Sequence, residues 1–250
     1  MKSFPVPTMC GVIARRILIN FRADPDALRR ILPRPFEPKL VRDVGMAGIC
    51  LIRLAHLRPN WVPAALGLTT ENAAHRIAVE WEDNGRRCEG VYIPRRDTSS
   101  TLVAMVGGKL FPGVHHRAEF LVHEDKDTVR VAMESRDGET RIAVAGSVAF
   151  QLPSTSIFRD LSEASEFFKR GSLGYSATPV AGCFHGLELR SFNWHVEPLA
   201  VETAESSFFQ DEQLFPLGTI EPDSALLMRG VDHEWHGLGT LVAESTRSEP

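Results

Sequence analysis

The chain has 250 residues, 43% of them hydrophobic, with 28 basic against 32 acidic side chains and a formal net charge of −4. That supplies core enough for a single domain, taken as residues 1–250, and gives nucleic acid no basic field to bind. The apolar runs are too short to span a bilayer, and Cys10, Cys50, Cys88 and Cys183 are scattered without a C-x-x-C pair, which argues against a zinc ribbon or a disulfide scaffold. No secretory leader is expected from Met1-Lys2-Ser3-Phe4-Pro5, so the expected setting is the cytoplasm, with reduced and mostly buried thiols.

Val12 to Phe21 has the β-branched, alternating character of a strand. Asp24 to Pro33 then reads as a short helix, with an N-cap Asp, Pro at the first helical position, acid early, base late and a terminating Pro. Pro33, Pro35 and Pro38 oppose regular structure up to Val41. From Met46 the period is mostly two. Ile77–Trp81 and Cys88–Ile93 form a hairpin across Asn84-Gly85. Arg117–His123, Thr128–Ser135 and Thr140–Leu152 continue as strands, the last two joined across Asp137-Gly138. A second helix runs from an N-cap at Ser162 to a stop at Gly171, and strands return at Leu187–Phe192 and Trp194–Ala204. Many strands, few short helices and no βαβ alternation predict a mainly β (α+β) fold, an antiparallel sheet or barrel.

Only five of the 28 basic residues are lysines: Lys2, Lys39, Lys109, Lys126 and Lys169. Lys109, in Gly107-Gly108-Lys109-Leu110-Phe111-Pro112-Gly113-Val114-His115-His116, stands among glycines and apolar residues. Burial there lowers an ammonium pKa toward what a Schiff-base nucleophile needs. The bland alternative is an ammonium in water at a strand end. His115 and His116 point to opposite faces of an extended segment, so one of them is a candidate for acid–base work or ligand binding. Arg95-Arg96-Asp97 after Pro94 reads as a charged loop that can clamp an anion or be solvated, and Tyr92 reads as a core tyrosine. In Asp232-His233-Glu234-Trp235-His236 the two histidines would share one face of a helix, which invites a metal reading, but the H-E-x-x-H spacing is missing.

Phe21-Arg22-Ala23-Asp24-Pro25-Asp26-Ala27-Leu28-Arg29-Arg30-Ile31-Leu32-Pro33-Arg34-Pro35-Phe36-Glu37-Pro38 resembles a segment of the acetoacetate decarboxylase superfamily. Gly90-Val91-Tyr92-Ile93 through Ser99-Ser100, and Trp194-His195-Val196-Glu197-Pro198-Leu199, resemble its uncharacterised DUF2071 (YqjF-like) branch. The resemblance implies a cone-like antiparallel β-barrel of acetoacetate decarboxylase-like type around a small-molecule cavity. It also implies a Schiff-base lysine at the first of the two positions that His115 and His116 occupy here. An imidazole forms no iminium, so Lys109 becomes the substitute nucleophile. By the same resemblance Glu71 is an active-site glutamate, and Arg15 or Arg16 a carboxylate-facing arginine.

Two readings follow. The first is a lyase-like enzyme acting on a small oxo acid, with Lys109, His115, His116 and Glu71 as reactive or proton-transfer groups. Arg15, Arg16, Arg95, Arg96 and Tyr92 then contact the substrate. The second is a barrel that holds an anionic metabolite without turnover. No cofactor and no metal is expected. A metal-dependent reading through His115, His116, His233 or His236 rests on histidine count alone. The expected partner is a small carboxylate rather than nucleic acid or membrane, and exposed strand edges leave room for a homo-oligomer.

Overall fold

The computed structural model describes residues 7–107 and 112–243. The chain opens with a long strand β1 (Met9–Ala23), helix α1 (Pro25–Ile31), two short strands β2 (Glu37–Pro38) and β3 (Leu40–Val41), and the long strand β4 (Val44–Pro59). The hairpin β5 (Leu68–Asp83) and β6 (Arg86–Thr98) follows, then helix α2 (Thr101–Val106) and the meander β7 (His115–Glu124), β8 (Thr128–Ser135) and β9 (Arg141–Val148). Helix α3 (Leu161–Arg170), β10 (Leu173–Ala177), β11 (Cys183–Ser191), β12 (Glu197–Ser206), β13 (Ile220–Gly237) and β14 (Leu241–Val242) complete it.

Local chemistry accounts for most of these boundaries. The Asp24 side chain accepts a hydrogen bond from the Ala27 amide at 2.8 Å and Pro25 fills the first turn, so α1 starts where the sequence places it. Asn84 (φ 50) and Gly85 (φ 73) both take the left-handed conformation that a two-residue hairpin turn requires. In α3 the cap is Asp160 rather than Ser162, because its carboxylate reaches the Glu163 amide at 2.8 Å. The proline-rich stretch does carry regular structure, since Glu37-Pro38 pairs with Val79-Glu80 at the edge of the sheet, where a proline's missing donor costs little.

The strands join into one sheet in which β6 and β13 each serve more than two neighbours. Val91-Tyr92 of β6 pairs with β10 and Arg96–Thr98 with β7, while β13 gives Leu226-Leu227 to β12 and His233–Gly237 to β11. The shared run β13-β1-β4-β5-β6 is thereby closed into a ring twice, once through β12, β9, β8 and β7 and once through β11 and β10. The sheet is mixed rather than wholly antiparallel, because β6–β7 and β6–β10 are parallel pairs. The crossover through α2 delivers β7 in the direction of β6, which a tight hairpin cannot do.

Side chains of the shared strands divide by parity. Ile17, Ile19, Ile49, Leu51, Ile77 and Val79 pack with Val131, Met133, Ile142 and Val144 of the meander. Leu18, Met46, Cys50, Ile52 and Ala78 face the other way, toward Phe158, Ala164 and Phe168 on and before α3. Each fully buried aliphatic residue of this kind contributes about 1.5–3 kcal/mol. Four cysteines are free, and only Cys50 is buried, so the expectation of mostly buried thiols is corrected. No helix among the described residues is long and apolar enough to cross a membrane.

Candidate functional site

A cavity of about 130 Å³ opens on the Cys50 face of the shared strands, beside β10 and β11. Its walls are mostly aliphatic, with Ile52, Leu54, Ala74, Val91, Ile93, Val103, Leu187 and Leu189. Into that apolar setting project Arg16 from β1, Cys50 from β4, Asn72 and Arg76 from β5, Arg96 from β6 and His115 from β7. Strand register brings them together: Arg96 lies opposite Ala74 and beside His115, Ala74 lies opposite Cys50, and Arg16 opposite Ile52.

The electrostatics are one-sided. Among the described residues no carboxylate pairs with Arg16, Arg76 or Arg96, although their strands carry many other ion pairs. Arg16 donates from Nε to Cys50 Sγ at 3.3 Å, and Arg96 from Nε to Ser176 Oγ at 3.1 Å. Arg76 donates from Nη2 to Asn20 Oδ1 and stacks over Phe168 at 4.9 Å, while its buried Nε has no partner. Burial pushes Arg76 down to about 10, with repulsion from Arg16 adding to it, and burial pushes Arg96 to about 10 as well. His115 is held down to about 3, first by burial and then by the charge of Arg96, so it is a neutral imidazole at physiological pH.

Asp97 also borders the cavity, but its carboxylate is claimed by Arg95, which donates from Nη2 at 2.9 Å. Arg95 further meets Asp137 at 2.8 Å and Glu139 at 2.8 Å, and His116 Nδ1 lies 2.7 Å from Asp137 Oδ2. Arg95, Asp97 and His116 therefore form an ion-pair cluster on the side of the wall opposite Arg96 and His115, as a two-residue period demands. Burial raises Asp97 against the opposing pull of Arg95.

Of the residues singled out in the sequence, Arg16, Arg96 and His115 line the cavity. Arg15 and Glu71 meet each other instead, at 2.5 Å, with Glu124 3.1 Å from Arg15. Arg15 is on the opposite parity from Arg16, and burial raises the Glu71 carboxyl despite the guanidinium beside it. Tyr92 sits in an aromatic cluster with Phe36 and Phe184, and Arg95 and His116 belong to the ion-pair cluster. Lys109 lies outside the described residues; the segment that carries it joins Gly107, whose added Cβ would touch His115, to Pro112.

The helical reading of Asp232–His236 gives way to strand β13, on which two residues three apart face opposite sides. His233 is buried and pushed down to about 4, chiefly by burial, while His236 Nε2 contacts Glu234 Oε2 at 2.8 Å. Among the described residues no group of three or more His, Cys, Asp or Glu gathers as a metal site would require. Arg76, Cys50 and Asn72 were not singled out from sequence. Their signal is one of parity: Asn72, Ala74 and Arg76 share one face of β5, and Ala74 lies opposite Cys50 across the ladder.

A family model for DUF2071, an uncharacterized conserved protein, matches residues 13–232. No curated protein matches the chain. Among solved structures, acetoacetate decarboxylase from Legionella pneumophila subsp. pneumophila str. Philadelphia 1 is similar at TM-score 0.62 and 15% identity, over 97% of this chain and 90% of that one. The enduracididine biosynthesis enzyme MppR complexed with pyruvate is similar at TM-score 0.62 and 13% identity, over 96% and 92%. An acetoacetate decarboxylase-like enzyme from Sphingomonas wittichii RW1 gives TM-score 0.58 and 13% identity, over 96% and 93%. At these identities the likeness establishes a shared fold.

Proposed function

We propose, from the premise that this chain belongs to the DUF2071 family of uncharacterized conserved proteins, that its cavity binds a small oxo carboxylic acid and acts on it. The observation that carries this reading is the set of three arginines, Arg16, Arg76 and Arg96, on an apolar cavity without a carboxylate to neutralise them. Holding guanidinium groups in such a setting costs folding free energy, and a bound carboxylate repays it with charge-assisted, bidentate hydrogen bonds. Neighbours of the same fold include a decarboxylase of a β-oxo acid and an enzyme complexed with pyruvate, which supports an oxo acid as the ligand class.

In this reading the arginines orient the carboxylate and His115 lies beside the chain that carries the oxo group. The neutral imidazole directs its one N–H from Nδ1 to the Gly113 carbonyl oxygen at 3.2 Å, so its Nε2 has no hydrogen to donate, and with its low basicity it does not become a competing cation. Starting from the Lys109 ammonium, the freed amine attacks the carbonyl carbon and two of the three nitrogen-bound protons leave with the carbonyl oxygen as water, giving an iminium. A second reading, a barrel that binds the acid without turnover, is favoured by imidazoles at positions 115 and 116, where an amine would be needed for the iminium.

Borohydride trapping separates the two. The protein is incubated with pyruvate or acetoacetate, reduced, and analysed by intact mass and peptide mapping. The enzyme reading predicts one reduced adduct on Lys109. The binding reading predicts no adduct but a rise in melting temperature with the acid. Neither an adduct nor a thermal shift with these acids would refute the oxo-acid reading.

A further inference from the structure

The arginines do not converge on one point. An added Cβ at Gly48 on β4 would lie 3.2 Å from Arg76 Nη2 and 3.4 Å from its Cζ, so that guanidinium lies over β4 on its way to Asn20 of β1. Arg96 departs in the other direction: an added Cβ at Gly113 would lie 3.4 Å from its Nε, and one at Gly174 of β10 would lie 3.9 Å from its Nη2. The strand order here is β1, β4, β5, β6, β10, and the two heads lie over its opposite ends. Neighbouring strands are about 4.8 Å apart, so β4 and β10 are on the order of 14 Å apart along the wall and less across the concave cavity.

Arg16 joins Arg76 at one end through its contact with Cys50, and it adds to the positive charge that Arg76 experiences. Arg96 stands at the other end with His115 and Ser176. Between them the floor is Cys50 and Ala74, without charge. A single carboxylate reaches one end and leaves the other guanidinium uncompensated in its apolar surroundings.

We propose that the ligand is a dicarboxylate, a chain of about four or five carbons with one carboxylate held by Arg16 and Arg76 and the other by Arg96. This rests on the carboxylate reading above and names its substrate class. The spacing suits such a chain: two carboxylates a few ångströms apart, each with charge-assisted hydrogen bonds of about 2.8 Å, span a gap on the order of 10 Å between guanidinium groups. The aliphatic walls accept the methylenes between them.

The test is a calorimetric titration of the full chain at pH 7 with malonate, succinate and glutarate, set against butyrate and monomethyl succinate. The expected result is that succinate or glutarate binds about tenfold to a hundredfold more tightly than butyrate, the gain of a second charge-assisted contact. Monomethyl succinate should fall back to the affinity of butyrate, a comparison that needs no variant to fold. Arg96→Gln should bring succinate and butyrate to within about threefold of each other. Equal affinity for mono- and dicarboxylates would overturn the two-ended site and leave the carboxylate reading standing. If no acid of either class binds, both readings fall together.

Discussion

Replacing Arg76 with methionine is expected to leave the unliganded protein nearly as stable as before while weakening its response to a dicarboxylate toward that of a monocarboxylate. Arg76 is 6% exposed, and its fall from 12.5 to about 10 corresponds to on the order of 3 kcal/mol against the charged form. Methionine, unbranched and of similar length, relieves that cost. It forfeits the hydrogen bond to Asn20, about 1–2 kcal/mol, and the stacking on Phe168, about 1 kcal/mol. Asn20 keeps a contact with Ser224 Oγ at 3.4 Å, so it is not left wholly unpaired. The net change is within about 1 kcal/mol, which for a chain of this size moves the melting temperature by roughly 2–4 °C at most. Differential scanning calorimetry with and without a saturating dicarboxylate reads both halves. A fall of more than about 8 °C in the unliganded variant would mean that Arg76 is compensated in the fold, and the reasoning that assigns its charge to a ligand would fail.

Arg95→Met should behave in the opposite way, because it strands the fully buried Asp97 carboxylate: a loss of about 3–5 kcal/mol in urea denaturation is expected, and less than about 1 would contradict the assigned ion-pair cluster. Acid should destabilise the protein: His75 and His115 are held down to about 3 and His233 to about 4, below the ordinary 6.5. Their neutral forms contribute stability that is present above pH 6.5 and lost as pH falls toward those values. At pH 5 the three together cost several kcal/mol, at about 1.4 kcal/mol per histidine per pH unit, offset in part by the raised carboxyls of Asp97 and Glu71. A urea midpoint at pH 5 equal to or above that at pH 7 would contradict this. Asp24→Ala removes the cap of α1 and should cost about 1 kcal/mol by chemical denaturation; no change would mean that the helix start is held by packing alone.

The sequence made elements legible where local chemistry decides them. Asp24-Pro25 starts α1, Asn84-Gly85 turns the β5–β6 hairpin and Asp137-Gly138 turns β8 into β9. It was silent on β13, an 18-residue strand whose burial switches from fully apolar at Leu226–Met228 to alternating at Val231–Trp235. That mixture erases both a helical and a strand period, and the Asp232–His236 stretch then passed for a helical face. Helix α2 was hidden for a similar reason: six residues leave no room for a period, and only the Ser100 cap, which accepts from Val103 at 3.2 Å, marks it. In the site, alternation separates His115 from His116 and Arg96 from Arg95. The choice of which parity faces the cavity depends on β10 and β11 folding over that face, a long-range event no local pattern encodes. Arg76 was missed because an arginine inside an apolar strand shows its meaning only when its missing partner can be counted.

The most direct test is a structure determined with succinate present. The account predicts the acid in the cavity between Arg76 and Arg96, each carboxylate within hydrogen-bonding distance of a guanidinium, with Cys50 beside its methylenes. An acid bound only at exposed arginines such as Arg159, with the cavity walls drawn together and Arg76 and Arg96 paired to carboxylates of the chain itself, would contradict it.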